Sequence, residues 1–373
     1  MKKLYLVLSF VLLAAMILPG CTPKVDCTLP ETFCVGFVTD TAGIADKSFN
    51  QTQWEGIQLA AKDFGLHASY LPSTSASDYT PNLTEFASQG YDLVIAAGFF
   101  LGADLAKVAA QYPDTHFAIF DYSYPNAFDV PEGVVGKTEC IPNVMGQVFK
   151  TDQPGYLAGY LAAGMTKTGK IAFYGGANIP TVSIFAVGLW QGMQAYNTAH
   201  SANIEMLGWN SQTGEGVFTG DFTDLVKAKQ TATSLYDEGA DIVVGVGGLI
   251  GSVSFPLATE RGGYGIWVDT DGYDQFPNDR AIMLTSIMKN MKNSNYTVVK
   301  QAFEGNFAGC TNYVGDLANN GVQLAPYHDL DSAIPTDLKA EIDALKAQII
   351  DGTIADTGCV GYPAYCPSGL YTP

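Results

Sequence analysis

Two nine-residue segments of this 373-residue chain read alike: GYDLVIAAG at 90–98 and GADIVVGVG at 239–247. Each sets an apolar run after an aspartate and closes on a glycine. That is the pattern of a strand covered on both faces and ended by a tight turn. Each is followed by a helical stretch and a second apolar run ending in aspartate, FAIFD at 117–121 and GIWVD at 265–269. The spacings agree closely: 29 residues from Asp92 to Asp121 and 28 from Asp241 to Asp269. Repeated β-α-β units of one period imply two similar α/β lobes, each a Rossmann-like parallel sheet flanked by helices.

The surrounding sequence fits this scheme. Apolar runs at 33–39, 67–71, 92–96 and 116–120 predict strands, and the segments 48–64, 79–89 and 101–111 predict helices between them. In 48–64 the face is expected to be Trp54, Ile57, Ala61 and Phe64, at spacings of three and four. A second series predicts helices at 153–165, 181–196, 223–238 and 251–261 and strands at 170–174, 204–207, 241–246 and 265–268. Residues 270–280 are a polar turn, 280–286 a further strand expected to rejoin the first lobe, and 287–303 a helix. The chain is then expected to return to the second lobe, ending in an amphipathic helix at 337–350. This reading assigns 33–145 and 275–308 to the first lobe, 146–274 and 309–350 to the second, and 351–373 to an irregular tail. Several crossings between lobes make a hinge, and hinged lobes bracket a cleft.

The N-terminus reads as an address rather than as fold. Lys2 and Lys3 precede an uncharged apolar run from residue 4 to 18, then Pro19, Gly20 and Cys21. Fifteen residues are short for a membrane span, which needs about 20, but suit an export signal over 1–20. Small residues before a cysteine resemble a lipobox, which makes Cys21 the lipidated N-terminus and 21–32 a tether to the membrane. Six further cysteines remain (Cys27, Cys34, Cys140, Cys310, Cys359 and Cys366), an even number consistent with up to three disulfides outside the cytosol. Their pairing is open at this stage, with Cys27/Cys34 and Cys359/Cys366 attractive as short clips.

With 19 Lys+Arg against 37 Asp+Glu the net charge is −18, a surface that repels phosphate backbones and argues against a nucleic-acid partner. The four histidines are scattered and no CxxC occurs, so no metal site is indicated. There is no GxSxG, HExxH or P-loop pattern, and no cofactor or catalysis is expected. The glycine run GVGGLIG at 245–251 has the wrong spacing for a dinucleotide fingerprint and reads as a tight turn.

Ligands of open α/β sheets bind beyond the carboxyl ends of the strands. Three predicted strands end in aspartate, at Asp40, Asp121 and Asp269, and facing lobes would bring all three to one cleft. A lone aspartate after a strand is commonly a turn or cap residue; three at matching positions carry more weight.

The run DKSFNQ at 46–51 with WEG at 54–56 resembles the basic membrane lipoprotein family. These are substrate-binding proteins of ABC transporters whose best-described type is a purine nucleoside receptor. The likeness continues in GYDLVIAAGF (90–99), YPDTHFAIFD (112–121), GYLAGYLAAGMTKTGKIAFYGG (155–176), IFAVGLWQGM (184–193), GADIVVGVGG (239–248), IWVDTD (266–271) and MLTSIMKN (283–290). The resemblance implies a type I periplasmic-binding-protein fold with a multi-strand hinge, a nucleoside ligand and an ABC permease partner. It places an aromatic sandwich at Phe49 and Phe185 and polar contacts to the base at Asp40, Asn50 and Asp121. It places ribose contacts at Asp269 and Lys289, and a close backbone approach at Gly247 or Gly248. Residues 209–222 are longer and more aromatic than the family leads one to expect.

The chemistry agrees with such a ligand. A purine offers two flat π faces to aromatic rings, each contact adding about 0.5–1.5 kcal/mol beyond area burial. Charged hydrogen bonds from carboxylates to a vicinal diol add about 1.5–3 kcal/mol each. The alternatives are a sugar or another small polar ligand in the same architecture, a nucleoside hydrolase, or a surface antigen in which no ligand matters.

Overall fold

The computed structural model describes residues 25–126 and 130–371; the leader and Cys21 lie outside them. Two six-stranded sheets form the frame. The first is built from β1 (Cys34–Val38), β2 (His67–Leu71), β3 (Leu93–Ala96), β4 (His116–Phe120), β5 (Val144–Phe149) and a late strand, Thr311–Gly315. Its order is Thr311–Gly315, β5, β4, β3, β1, β2, and every pair is parallel.

The second sheet begins with β6 (Lys170–Gly175) and β7 (Glu205–Leu207). A two-residue hairpin, β8 (Trp209–Asn210) with β9 (Glu215–Gly216), stands apart from it. The sheet continues with β10 (Ile242–Val246), β11 (Tyr264–Asp269), β12 (Met283–Lys289) and β14 (Val322–Leu324), the Thr311–Gly315 strand of the first sheet being β13. The order is β14, β12, β11, β10, β6, β7, with only β14 antiparallel. Each lobe is thus a doubly wound sheet, the arrangement its internal repeat implies.

Three segments depart from the sequence reading. Residues 280–286 do not rejoin the first lobe: 280–282 form a 3-10 turn and 283–286 start β12, which pairs in parallel with its chain neighbour β11. The strand also runs on through Lys289, so the helix expected from 287 starts at Met291, with the Asn290 side chain accepting from the Asn293 N–H at 3.4 Å. The boundary at 146 cuts across β5 and the one at 309 puts β13 in the second lobe, although both strands belong to the first sheet. The chain therefore crosses between lobes after β5, after β12 and between β13 and β14.

Helix α1 (Phe49–Phe64) buries Asn50, Gln53, Gly56, Ile57 and Ala60, a face turned from the expected Trp54–Ile57–Ala61–Phe64 stripe. Gly56 accounts for the difference: a Cβ there would strike the Lys292 carbonyl, so α1 lies directly on the helix Met291–Phe303. In the second lobe two helices, Asp152–Met165 and Pro180–His200, cross through glycines. A Cβ on Gly188 would meet the Asp152 carbonyl at 2.5 Å, and one on Gly192 the Tyr156 carbonyl. This close crossing fixes Phe185, one turn from the start of the second helix.

The six cysteines pair as Cys27–Cys34, Cys140–Cys310 and Cys359–Cys366. The two short clips are those the spacing favours. The long-range pair ties the start of β5 to that of its neighbour β13.

Candidate functional site

The cavity between the lobes is lined from the carboxyl ends of both sheets, as an open α/β frame requires. The first lobe contributes Asp40 after β1, Asp46 and Phe49 at the start of α1, Gly98–Phe100 after β3, and Asp121 after β4. The second contributes Ile179, Thr181, Val182 and Phe185, Phe222, Val246–Gly248 after β10, Asp269 at the end of β11 and Lys289 at the end of β12.

Asp121 and Asp269 occupy matching places in the two repeats, and both take left-handed backbone, φ 55° and 70°. Such angles are uncommon for residues other than glycine, and a pair at equivalent strand ends points to function. Both carboxylates meet one ammonium. Lys289 Nζ lies 2.7 Å from Asp121 Oδ2 and 3.3 Å from Asp269 Oδ1, and its side chain is 3% exposed. Burial disfavours the charge on Lys289, but the two carboxylates outweigh it and hold its pKa above the ordinary lysine value. Burial pushes the Asp121 carboxyl up, with Lys289 opposing. Ser48 Oγ donates to Asp269 Oδ2 at 2.9 Å, a second bridge between the lobes.

The two expected sandwich rings flank this cluster. Lys289 Nζ stands 5.1 Å from the Phe49 ring centre and 5.3 Å from that of Phe185, so both rings border one space. Gly98, at φ 108°, leaves the room Phe49 needs: a Cβ there would sit 3.0 Å from its ring.

The DKSFNQ run explains itself locally. Asp46 is buried and accepts from the backbone N–H groups of Ser48, Asn50 and Gln51 at 2.8–3.1 Å, capping the start of α1. Ser48 then reaches Asp269 and Phe49 enters the cavity. Asn50 does not: it is fully buried and donates to Asp40 Oδ1 at 2.7 Å and Asp46 Oδ2 at 3.1 Å. Its place is behind Asp40, not at the base edge where the resemblance put it. Asp40 itself is partly exposed on the cavity wall. Burial pushes its carboxyl up to about 6, against the hydrogen bonds from Asn50 and the Ala42 N–H. Asp40, Phe49, Asp121, Phe185, Gly247, Asp269 and Lys289 are therefore brought together and Asn50 is set back; Cys21 is outside the described residues.

Sequence reasoning assigned no role to Phe100 and Phe222. Their rings meet at 6.1 Å across the cavity mouth, Phe100 from the first lobe and Phe222 from the aromatic loop after β7. That loop is laced to the end of β6 through the bonds of Thr219 N–H to Gly175 O and Gly220 N–H to Gly176 O. Gly247, at φ 140°, makes room for the Phe222 ring, which a Cβ would approach to 2.7 Å. The signal was the loop's excess of aromatics. Among the described residues, no helix is long and apolar enough to cross a membrane.

Comparison with known proteins bears on the family and the fold. A protein 30% identical is the "ABC transporter nucleoside-binding protein BmpA" of Lactococcus lactis, matched over 95% of this chain and 99% of that one. The "CD4+ T-cell-stimulating antigen" of Listeria monocytogenes is 28% identical over 94% and 96% of the two chains. An ABC transporter solute-binding protein from Aeropyrum pernix superposes with a TM-score of 0.74 at 24% identity, covering 86% and 92%. One from Conexibacter woesei gives 0.62 at 24% identity, covering 87% and 98%. These neighbours share the type I periplasmic-binding-protein fold. The family profile described as "ABC transporter substrate-binding protein PnrA-like" matches residues 33–356, and the chain belongs to that family.

Proposed function

We propose that this protein is a lipid-anchored receptor on the outer face of the cell membrane. It captures a nucleoside, with purines preferred, between its lobes and delivers it to an ABC permease. The observation that carries this reading is the convergence of Phe49 and Phe185 on one space with Asp121, Asp269 and Lys289. Two rings suit the faces of a flat heterocycle. Carboxylates and an ammonium beside them suit the hydroxyls of a pentose and the polar base edge.

The free volume of the cavity is about 70 Å³, space for roughly two waters. A nucleoside enters only when the lobes part and its polar groups take over bonds now made among Lys289, Asp121, Asp269 and Ser48. Closure then follows because a bound ligand touches both lobes only when they are shut. The carboxylates at the wall disfavour phosphorylated ligands.

A thermal-shift panel of adenosine, guanosine, inosine, uridine, cytidine, free bases and ribose tests this, since ligands of the folded form raise its melting temperature. Purine nucleosides should give the largest shifts. A response to sugars with none to any nucleoside would overturn the reading in favour of a sugar receptor.

A further inference from the structure

The C-terminal tail lies beyond residues 33–356, the segment the family profile matches, yet it touches both lobes beside the interlobe cavity. It is tied at three places. Buried Asp152, where the chain crosses from the first sheet to the second lobe, accepts from Thr357 Oγ1 at 2.6 Å and from the Tyr371 hydroxyl at 2.8 Å. In the second lobe Ser183 Oγ donates to the Tyr365 carbonyl at 2.7 Å, two residues from Phe185. In the first lobe Ser123 Oγ donates to the Ser368 carbonyl at 2.8 Å, two residues from Asp121. The Cys359–Cys366 disulfide closes the loop between these grips, and both cysteines are buried in the second lobe's core. Tyr362 and Tyr365 rest edge-on against Trp190 and Trp209. Between the tail and Asp121 lies a second cavity of about 120 Å³, walled by Ala364, Cys366, Pro367 and Ser368 on one side and Asp121 and Ser123 on the other.

We propose that residues 357–371 are a positioning strap for the ligand site, holding the segment that carries Asp121 and the helix that carries Phe185 at a fixed separation across the two lobes. The proposal rests on reading the interlobe cavity as the nucleoside site. The strap works through the open–closed equilibrium. Anything that raises the closed fraction in the free protein raises apparent affinity in proportion, with no new contact to ligand. Ser123 and Ser183 are positioning residues in this scheme, because they act through Asp121 and Phe185. The Cys359–Cys366 loop gives the strap its fixed length, since a cross-linked loop has far fewer alternative conformations than an open one.

The test uses the full chain and two variants, C359A/C366A and S123A. Small-angle scattering without ligand reads lobe separation. Calorimetry with adenosine, guanosine and inosine reads affinity. The expected result is a larger ligand-free radius of gyration in both variants, with affinity weakened at least fivefold in C359A/C366A and at least threefold in S123A. A tail that merely shores up the second lobe would lower the melting temperature and leave lobe separation and affinity unchanged. That outcome overturns the proposal. If C359A/C366A fails to fold, S123A, which loses only the Ser123 hydroxyl, decides. If the unaltered protein binds none of the three probes, the nucleoside reading falls and the scattering arm still decides for or against the strap.

Discussion

The Lys289 ammonium lies 2.7 Å from the Asp121 carboxylate of the opposite lobe, so one buried ion pair joins the two sheets at their strand ends. Asp269 shares that ammonium at 3.3 Å. Lys289 therefore offsets one of two negative charges that would otherwise face each other in a confined space.

Removing the ammonium alone should be costly. Breaking a buried pair by deleting one partner typically destabilises by about 3–5 kcal/mol, and the open cavity beside the pair places this case near the lower end. Lys289→Met is expected to lose about 3 kcal/mol in denaturant unfolding. A loss under about 1 kcal/mol would mean that the carboxylates are hydrated rather than held by the lysine.

Phe49→Ala and Asp269→Ala should each weaken purine-nucleoside binding at least tenfold, about 1.4 kcal/mol, while the protein stays folded. Isothermal calorimetry on variants with native circular dichroism checks this. Unchanged affinity in either would remove that residue from the site.

The pH response should come from Asp40. Its carboxyl titrates near 6, so below that value it is neutral and loses acceptor strength toward a ligand N–H or hydroxyl. Nucleoside affinity is expected to fall as pH drops through about 6 and to be flat over that range in Asp40→Asn. Stability moves the other way for this group. A folded-state pKa above the ordinary value means that its contribution is present at low pH and is lost as pH rises toward about 6. Affinity titrated at pH 5, 6 and 7 in both proteins reads the first effect, and urea unfolding at the same pH values reads the second.

The Phe100–Phe222 contact should govern how long ligand stays. Edge contacts between rings contribute about 0.5–1.5 kcal/mol. Phe100→Ala or Phe222→Ala is thus expected to speed nucleoside release roughly three- to tenfold in stopped-flow measurements, with a smaller effect on association. Equal changes in both rates would show that the pair does not close the mouth.

Much of the architecture was legible because its signals are local and doubled. The GYDLVIAAG and GADIVVGVG segments became β3 and β10, and the aspartates ending FAIFD and GIWVD met in one cavity. What stayed hidden depends on long-range geometry. MLTSIMK contains no residue that breaks a strand, so its sheet and its extent to Lys289 were fixed only by pairing with β11. Asn50 looked like a ligand contact because it follows Phe49, but a helix turns successive side chains in different directions, and this one faces Asp46. The Cys140–Cys310 link closes 170 residues, beyond any spacing argument. Phe222 stood out by composition, yet its partner Phe100 is on the other lobe.

Asp121 and Asp269 end matching strands of two similarly wound sheets, and a frame repeated in that way could by itself take a ligand in either of two senses. Lys289 removes that degeneracy. It stands at the end of β12, one residue beyond Met288, the strand partner of Asp269, and is the one lysine on the cavity lining among the described residues. A duplicated frame with one lysine on its lining has a polarity, and a nucleoside held there as proposed would lie head-to-tail in one sense.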